Sequence, residues 1–243
     1  MSYNENLKEF PHVLDIMTDL VMSNTEIQEI SPWIERISRL DRLVLDGCKK
    51  LLSLPQLPSS LSELDAEDCE SLERLDCSFL NQKISLNFAN CFKLNKEARD
   101  VIIQTSPYPV TILPGKEMPN YFNYQANGGS LVMKLNERPS SSSMTWKACI
   151  LLVRNDEVEA GIGQTVRVHH GIKQNSLDVP CSPSYHTLRA FTEHLYIFEF
   201  EADVTLDEFC FEFEVEHDEF WVDSDEWMIK ECGVHYVKYQ LMG

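Results

Sequence analysis

The chain has 243 residues, 39 acidic against 21 basic, 43% apolar and 10% aromatic, with eight Cys, nine Gly and eleven Pro. That length and apolar fraction suffice for one large domain or two ordinary ones and exclude wholesale disorder. A formal charge of −18 excludes a general nucleic-acid or anionic-membrane binder, since phosphates are met by clustered Lys and Arg.

The longest apolar run, residues 148–153, is far short of the roughly 20 that a spanning helix needs. The N-terminus, MSYNENLKEF, lacks the basic and apolar regions of a secretory signal. An intracellular chain, cytoplasmic or nuclear, is therefore expected. Its Cys residues are scattered, with no CxxC, and read as reduced, mostly buried thiols.

In chain order the first pattern is a repeat. Leu43, Leu45 and Cys48 align with Leu64, Ala66 and Cys69, and then with Leu86, Phe88 and Cys91; Leu20, Met22 and Thr25 fit more weakly. The starting leucines are 23, 21 and 22 residues apart, which is the leucine-rich repeat spacing of short stacked strands with a looser convex return. Ser31 and Pro32 read as the cap and first position of a convex helix whose apolar face is Ile30, Trp33, Ile34, Ile37 and Leu40. Two prolines make residues 54–61 an extended return. Around the strands, Arg42, Asp46, Glu63, Asp65, Glu67, Asp68 and Asn87 form a polar, mostly acidic concave strip, the candidate partner-binding surface of the repeats.

Asn95 then caps a helix over Lys96–Gln104, and SPYP at 106–109 breaks the chain. The expected domains are thus 1–105 and 106–243. Strands follow at 110–113, 130–135, 146–153, 164–170, 195–202, 209–216 and 234–239, with a tight turn at Asn127, Gly128 and Gly129. This is the texture of an antiparallel sandwich. Residues 193–231 hold fifteen acids against Lys230 alone, leaving a balance of only −4 elsewhere. Those acids alternate with aromatics, so Phe209, Phe211, Phe213 and Val215 should face inward while Glu212, Glu214 and Glu216 face water, either as a solvated face or as a docking surface for a basic partner.

The string LPGKEMPNYFNY at 113–124 resembles the start of the post-repeat domain of plant TIR-type NLR disease-resistance receptors, the C-terminal jelly-roll/Ig-like domain. The preceding LDGCKKL, LPQLPSSL and NFANCFKL segments resemble the last repeats of such receptors, and IKECGVH at 229–235 resembles that domain's final strand. The resemblance spans nearly the whole chain. It implies an α/β leucine-rich-repeat solenoid fragment followed by an all-β sandwich, and a non-enzymatic module that binds a pathogen effector or a guarded host protein. The nucleotide-binding domain of a full receptor is the other expected partner. No GxxxxGK[ST] loop or TIR-like unit is present in these residues, and the start inside a repeat array suggests a truncated paralogue, a gene-model fragment or an excised domain. Within the motif, Pro114, Gly115 and Pro119 are expected to set turns, Phe122 to fill the sandwich core and Glu117 to cap a backbone amide. Effector contacts are expected from inter-strand loops: Asn155, Asp156 and Glu157 in one, His169, His170 and Lys173 in another.

No cofactor or metal is expected, because the His, Cys and acidic pairs complete no zinc or calcium spacing, and no nucleophile signature is present. Two other readings stand beside recognition. One is a carbohydrate-binding sandwich; the other is an autoinhibitory segment with no ligand of its own.

Overall fold

The computed structural model describes residues 16–79, 83–135, 143–154, 165–216 and 227–237. Contacts divide the chain into two compact units, Met1–Leu113 and Pro114–Gly243.

The first unit is a ladder of short strands: β1 (Asp19–Val21), β2 (Arg42–Val44), β3 (Ser53–Leu54), β4 (Glu63–Asp65), β5 (Arg74–Leu75), β6 (Lys83–Asn87) and β7 (Ser106–Pro114). Strands β1, β2, β4 and β6 pair in parallel, Leu20 with Leu43, Leu43 with Leu64 and Leu64 with Leu86, so the spaced leucines share one register. β3 pairs in parallel with β5 on the return side. Each return begins at a left-handed residue: Asn24, Gly47, Asp68 and Asn90 have φ of 56°, 70°, 58° and 63°. Asn, Asp and Gly are the residues that tolerate this region. The Cys that follows donates its thiol to a carbonyl of the preceding repeat, Cys48 to Met22, Cys69 to Leu45 and Cys91 to Ala66, at 3.0, 3.3 and 3.0 Å. These thiols are therefore structural, as their complete burial requires.

The convex helix expected after Ser31 is a five-residue 3₁₀ turn, Pro32–Arg36, and the Ser31 side chain makes no cap bond. Ile34, Ile37 and Leu40 are buried at a spacing of three, and their amides bond the carbonyls of Ser31, Ile34 and Ile37. A three-residue apolar period selects 3₁₀ geometry, whose side chains eclipse at i and i+3. Helix α1 (Lys96–Gln104) forms as expected, with Asn95 Oδ1 accepting from Ala98 N at 2.8 Å. The expected break at 106–109 is instead the start of β7, which pairs in parallel with β6 and lies with the first unit up to Leu113. Alternating apolar residues show that 110–113 is a strand, but not which neighbour it takes.

The second unit contains β8 (Tyr124–Asn127), β9 (Ser130–Lys134), β10 (Ser143–Arg154), β11 (Thr165–Gln174), β12 (Leu177–Val179), β13 (Cys181–Ser182), β14 (Tyr185–Arg189), β15 (His194–Asp203), β16 (Glu208–Glu216) and β17 (Trp227–Val237). One antiparallel sheet runs β15-β10-β17-β8, with β13 alongside β15; the other runs β12-β11-β16-β9, with β14 alongside β11. Their facing sides meet in aromatic contacts: Trp146 lies 5.5 and 5.0 Å from Phe209 and Phe211, and Phe198 lies 6.2 Å from Phe213. The inward set expected on β16 is buried, including Val215, while Glu212, Glu214 and Glu216 lie on the opposite face.

Tyr196 fastens one corner of the sandwich. Its buried hydroxyl accepts from Phe191 N at 2.7 Å and donates to Arg189 O at 3.0 Å. Tyr196→Phe should destabilise the chain by about 1–3 kcal/mol by leaving these groups unpaired. The urea midpoint measures it; an unchanged midpoint would mean that water replaces the hydroxyl.

Candidate protein-binding surfaces

The strip on the repeats holds two kinds of side chain. Arg42 Nε and Glu63 Oε1 pair at 2.9 Å across adjacent strands, both partly exposed. Asp65 Oδ1 accepts from Glu67 N at 3.1 Å and Asn87 Nδ2 at 3.0 Å; Asn87 Nδ2 also reaches Glu67 Oε2 at 3.1 Å, and Asn87 Oδ1 accepts from Ala89 N at 3.1 Å. This network turns the strand into the return, and Glu67 is only 4% exposed. Glu67 is therefore corrected from a contact residue of the strip to an interior one. Burial holds the Asp65 carboxyl above its usual range; its bond from the Glu67 amide opposes this, and the Asp46 charge adds to it. Asp46, the Arg42–Glu63 pair, Asp65, Asn87 and Asp68 all stay partly exposed, and Asp68 Oδ1 accepts from Asn90 Nδ2 at 2.7 Å.

Asp46, Glu67 and Asp68 each bring a carboxylate oxygen within 4.8 Å of the others, the one such trio among the described residues. Asn87 and Asn90 already donate hydrogen bonds to two of the three, Glu67 and Asp68.

On the sandwich, Asn155, Asp156 and Glu157 lie outside the described residues. His169, His170 and Lys173, expected on a loop, stand on strand β11, because the run TVRVHHGIKQ continues to a hairpin at Asn175 and Ser176, with φ of 50° and 64°. Alternation then separates them. His170 points between the sheets and is 5% exposed, which removes it from any surface. His169 and Lys173 face out, where His169 Nε2 lies 3.1 Å from Glu216, Arg167 2.9 Å from Glu216 and Lys173 2.6 Å from Glu212. The acidic face of β16 is thus partly neutralised by the basic side chains of β11. Exposed pairs like these contribute at most about 1 kcal/mol each. Tyr185 stands beside them, half exposed, with the Arg167 guanidinium 5.1 Å over its ring.

The 113–124 motif builds a strap across the face of the β10–β17 sheet that looks away from the second sheet. Gly115 N donates to Glu193 O at 2.8 Å, and Lys116 pairs with Glu193 at 3.0 Å. Pro119 O accepts from Phe122 N at 3.1 Å, closing a turn, and Gln125 Nε2 donates to Pro119 O and Phe122 O. Two expectations change. The carboxylate that caps a strap amide is Glu231, accepting from Met118 N at 2.9 Å, whereas Glu117 is exposed. Phe122 is 1% exposed, but it packs on Gly233 outside the sandwich core. A Cβ at Gly233 would lie 2.9 Å from both Met118 Sδ and Phe122 Cβ, so the strap seats only where the strand lacks a side chain. The glycine inside the run WMIKECGVHYV was the available signal for this close approach.

Lys147 lies beneath the strap, 1% exposed, with its Nζ 5.1 Å from the Tyr121 ring centre and Glu199 and His235 as its cross-strand neighbours. Burial pushes its amine down to about 8, against the pull of Glu199 and Cys149. The sequence hides this residue, because residues 146–153 are apolar on both faces apart from it.

Among the described residues no helix is long and apolar enough to cross a membrane. A family model described as the C-JID domain matches residues 113–241, beginning where the compact units divide. Probable disease resistance protein RPP1 of Arabidopsis thaliana is 42% identical over 241 residues, covering 96% of this chain and 19% of that protein. Disease resistance protein TAO1 of Arabidopsis thaliana is 49% identical over 165 residues, 67% of this chain and 14% of that protein. Disease resistance-like protein DSC2 of Arabidopsis thaliana is 35% identical over 258 residues, 88% of this chain and 20% of that protein. The chain thus spans about a fifth or less of the length of these relatives. Residues 113–241 are a C-JID domain, and the chain belongs to that family of plant NLR disease-resistance proteins.

Proposed function

We propose that this chain is a non-enzymatic recognition module of a plant immune receptor, active in the cytoplasm or nucleus, which binds a pathogen effector or a guarded host protein. In this reading the parallel ladder is a set of leucine-rich repeats from a longer solenoid, and two of its partly exposed carboxylates, Asp46 and Asp68, make the first contact. The observation that carries the reading is the pairing of a C-JID domain with a strip whose accessible charge is chiefly acidic. Carboxylates at a partly exposed edge favour a partner that presents Lys or Arg and raise its encounter rate. On the outer face of β11 and β14, the Arg167 guanidinium over the half-exposed Tyr185 ring speaks against a sugar-stacking platform there.

Co-expression of the 243-residue chain with single secreted effectors of a plant pathogen, read by split luciferase, tests the proposal. Capture of one effector, or of a host protein that the effector modifies, is expected. If neither is captured while a receptor nucleotide-binding domain is, the chain is an autoinhibitory segment instead.

A further inference from the structure

Two histidines lie inside the sandwich with no counter-charge. His170 on β11 and His186 on the adjacent β14 stack at 5.2 Å with 17° between the rings, and they are 5% and 6% exposed. Phenylalanines from the opposite sheet close over them: His186 is 4.6 Å from Phe198, and His170 is 4.6 Å from Phe200. One ring nitrogen is served, His170 Nε2 at 2.6 Å from Pro183 O, which requires that nitrogen to carry the proton and donate. His170 Nδ1 and His186 Nε2 are buried without a hydrogen-bond partner.

A neutral imidazole can hold its unprotonated nitrogen in an apolar site at modest cost, whereas an imidazolium has two donors that each need an acceptor. Nearly parallel rings cannot converge their in-plane lone pairs on one ion, so a shared metal is not what the stack serves. The charged groups on the surrounding strands point elsewhere. On β11, Arg167, His169 and Lys173 face out towards Glu212 and Glu216 of β16; on β15, Glu199 and Glu201 alternate with the phenylalanines and face the other side of their sheet. On β14, Arg189 pairs in register with Thr165 at the far end of the strand. Burial pushes both imidazoles down to about 4; the charge of His186 adds to this at His170, and the Pro183 contact opposes it.

We propose that the His170–His186 stack is an acid-operated release for β14: protonation drives this five-residue strand off β11 and uncovers Phe198 and Phe200. β14 is held to its sheet along one edge only, by the five paired residues it shares with β11, and its inward His186 lies directly beside His170. The sign follows from the shift. Released histidines bind protons near their ordinary value of about 6.5, docked ones only near 4, so the docked state is at full strength above pH 6.5 and weakens as pH falls towards 4.

Hydrogen exchange of the 243-residue chain, corrected for intrinsic rates, tests this between pH 7 and pH 4.5. Protection at residues 185–189 should fall by about tenfold per pH unit, and up to about a hundredfold where both histidines take part, while β2 and β4 keep theirs. His186→Phe and His170→Phe should flatten the profile. An identical profile in these variants, or loss of β16 no later than β14, would overturn the proposal. Should the variants not fold, imidazole titration of the wild-type chain by NMR decides: two midpoints far below the ordinary histidine value support it, and ordinary midpoints refute it.

Discussion

Phe122→Ala should lower the stability of the second unit by about 3–5 kcal/mol, the usual cost of truncating a fully buried Phe. Phe122 is 1% exposed and forms the end of the strap, meeting Tyr121 edge-on at 5.3 Å and resting on Gly233. Its loss removes the contact that holds Tyr121 over His235 and Lys147, at 4.7 and 5.1 Å. Two readouts should therefore move together: the urea midpoint falls, and Lys147, 1% exposed beneath the intact strap, reacts faster with an amine-directed label because the reagent gains access to it, even though solvation returns its amine from about 8 towards the ordinary lysine value. Glu117→Ala is the control. That carboxylate is exposed, so its removal should change stability by no more than about 0.5 kcal/mol. An equal effect of both substitutions would show that the strap is held by its turns rather than by Phe122.

The second large effect is expected at the turn from β8 to β9, which carries the chain from one sheet to the other. Gly129 O accepts from Phe213 N at 2.7 Å, and a Cβ at Gly129 would lie 2.2 Å from Phe213 O. That obstacle is backbone and cannot rotate away, so Gly129→Ala must push β9 off β16 at a cost of about 3 kcal/mol. At Gly128, with φ +79°, a Cβ would meet nothing within 4 Å, and Gly128→Ala should cost only about 1 kcal/mol of left-handed strain. Thermal melts of the two variants measure the difference. Equal melting temperatures would place the constraint in the turn conformation alone.

Where one face of an element is apolar and the other polar, the sequence names the buried residues correctly. The leucine register of β1, β2, β4 and β6, the inward aromatics of β16 and the Asn95 cap were legible for this reason. Three things were not. Alternation does not state the partner of a strand, so residues 106–113 read as sandwich although β7 joins the repeats. Strands apolar on both faces conceal which side each residue takes, as at Lys147, and a motif outside the strands does not state which face of a sheet it covers, so Phe122 reads as filling the core although it belongs to the strap. A titratable side chain near a turn looks like a surface residue, yet Glu67 and His170 are buried because local hydrogen bonds and strand alternation turn them in. Of the candidate contacts among the described residues, Arg42, Asp46, Glu63, Asp65, Asp68, Asn87, His169 and Lys173 remain partly accessible.

In the proposed function, Asp46 and Asp68 are the partly exposed carboxylates that make the first contact with the partner. Effector capture by the 243-residue chain carrying Asp46→Ala and Asp68→Asn tests this directly, since Asn keeps both the left-handed backbone and the Asn90 hydrogen bond. The expected result is a loss of about tenfold or more in affinity, ~1.4 kcal/mol, with an unchanged melting temperature and a smaller loss at high salt. Undiminished capture by this folded double variant would contradict the acidic strip as the binding surface and place recognition on the sandwich.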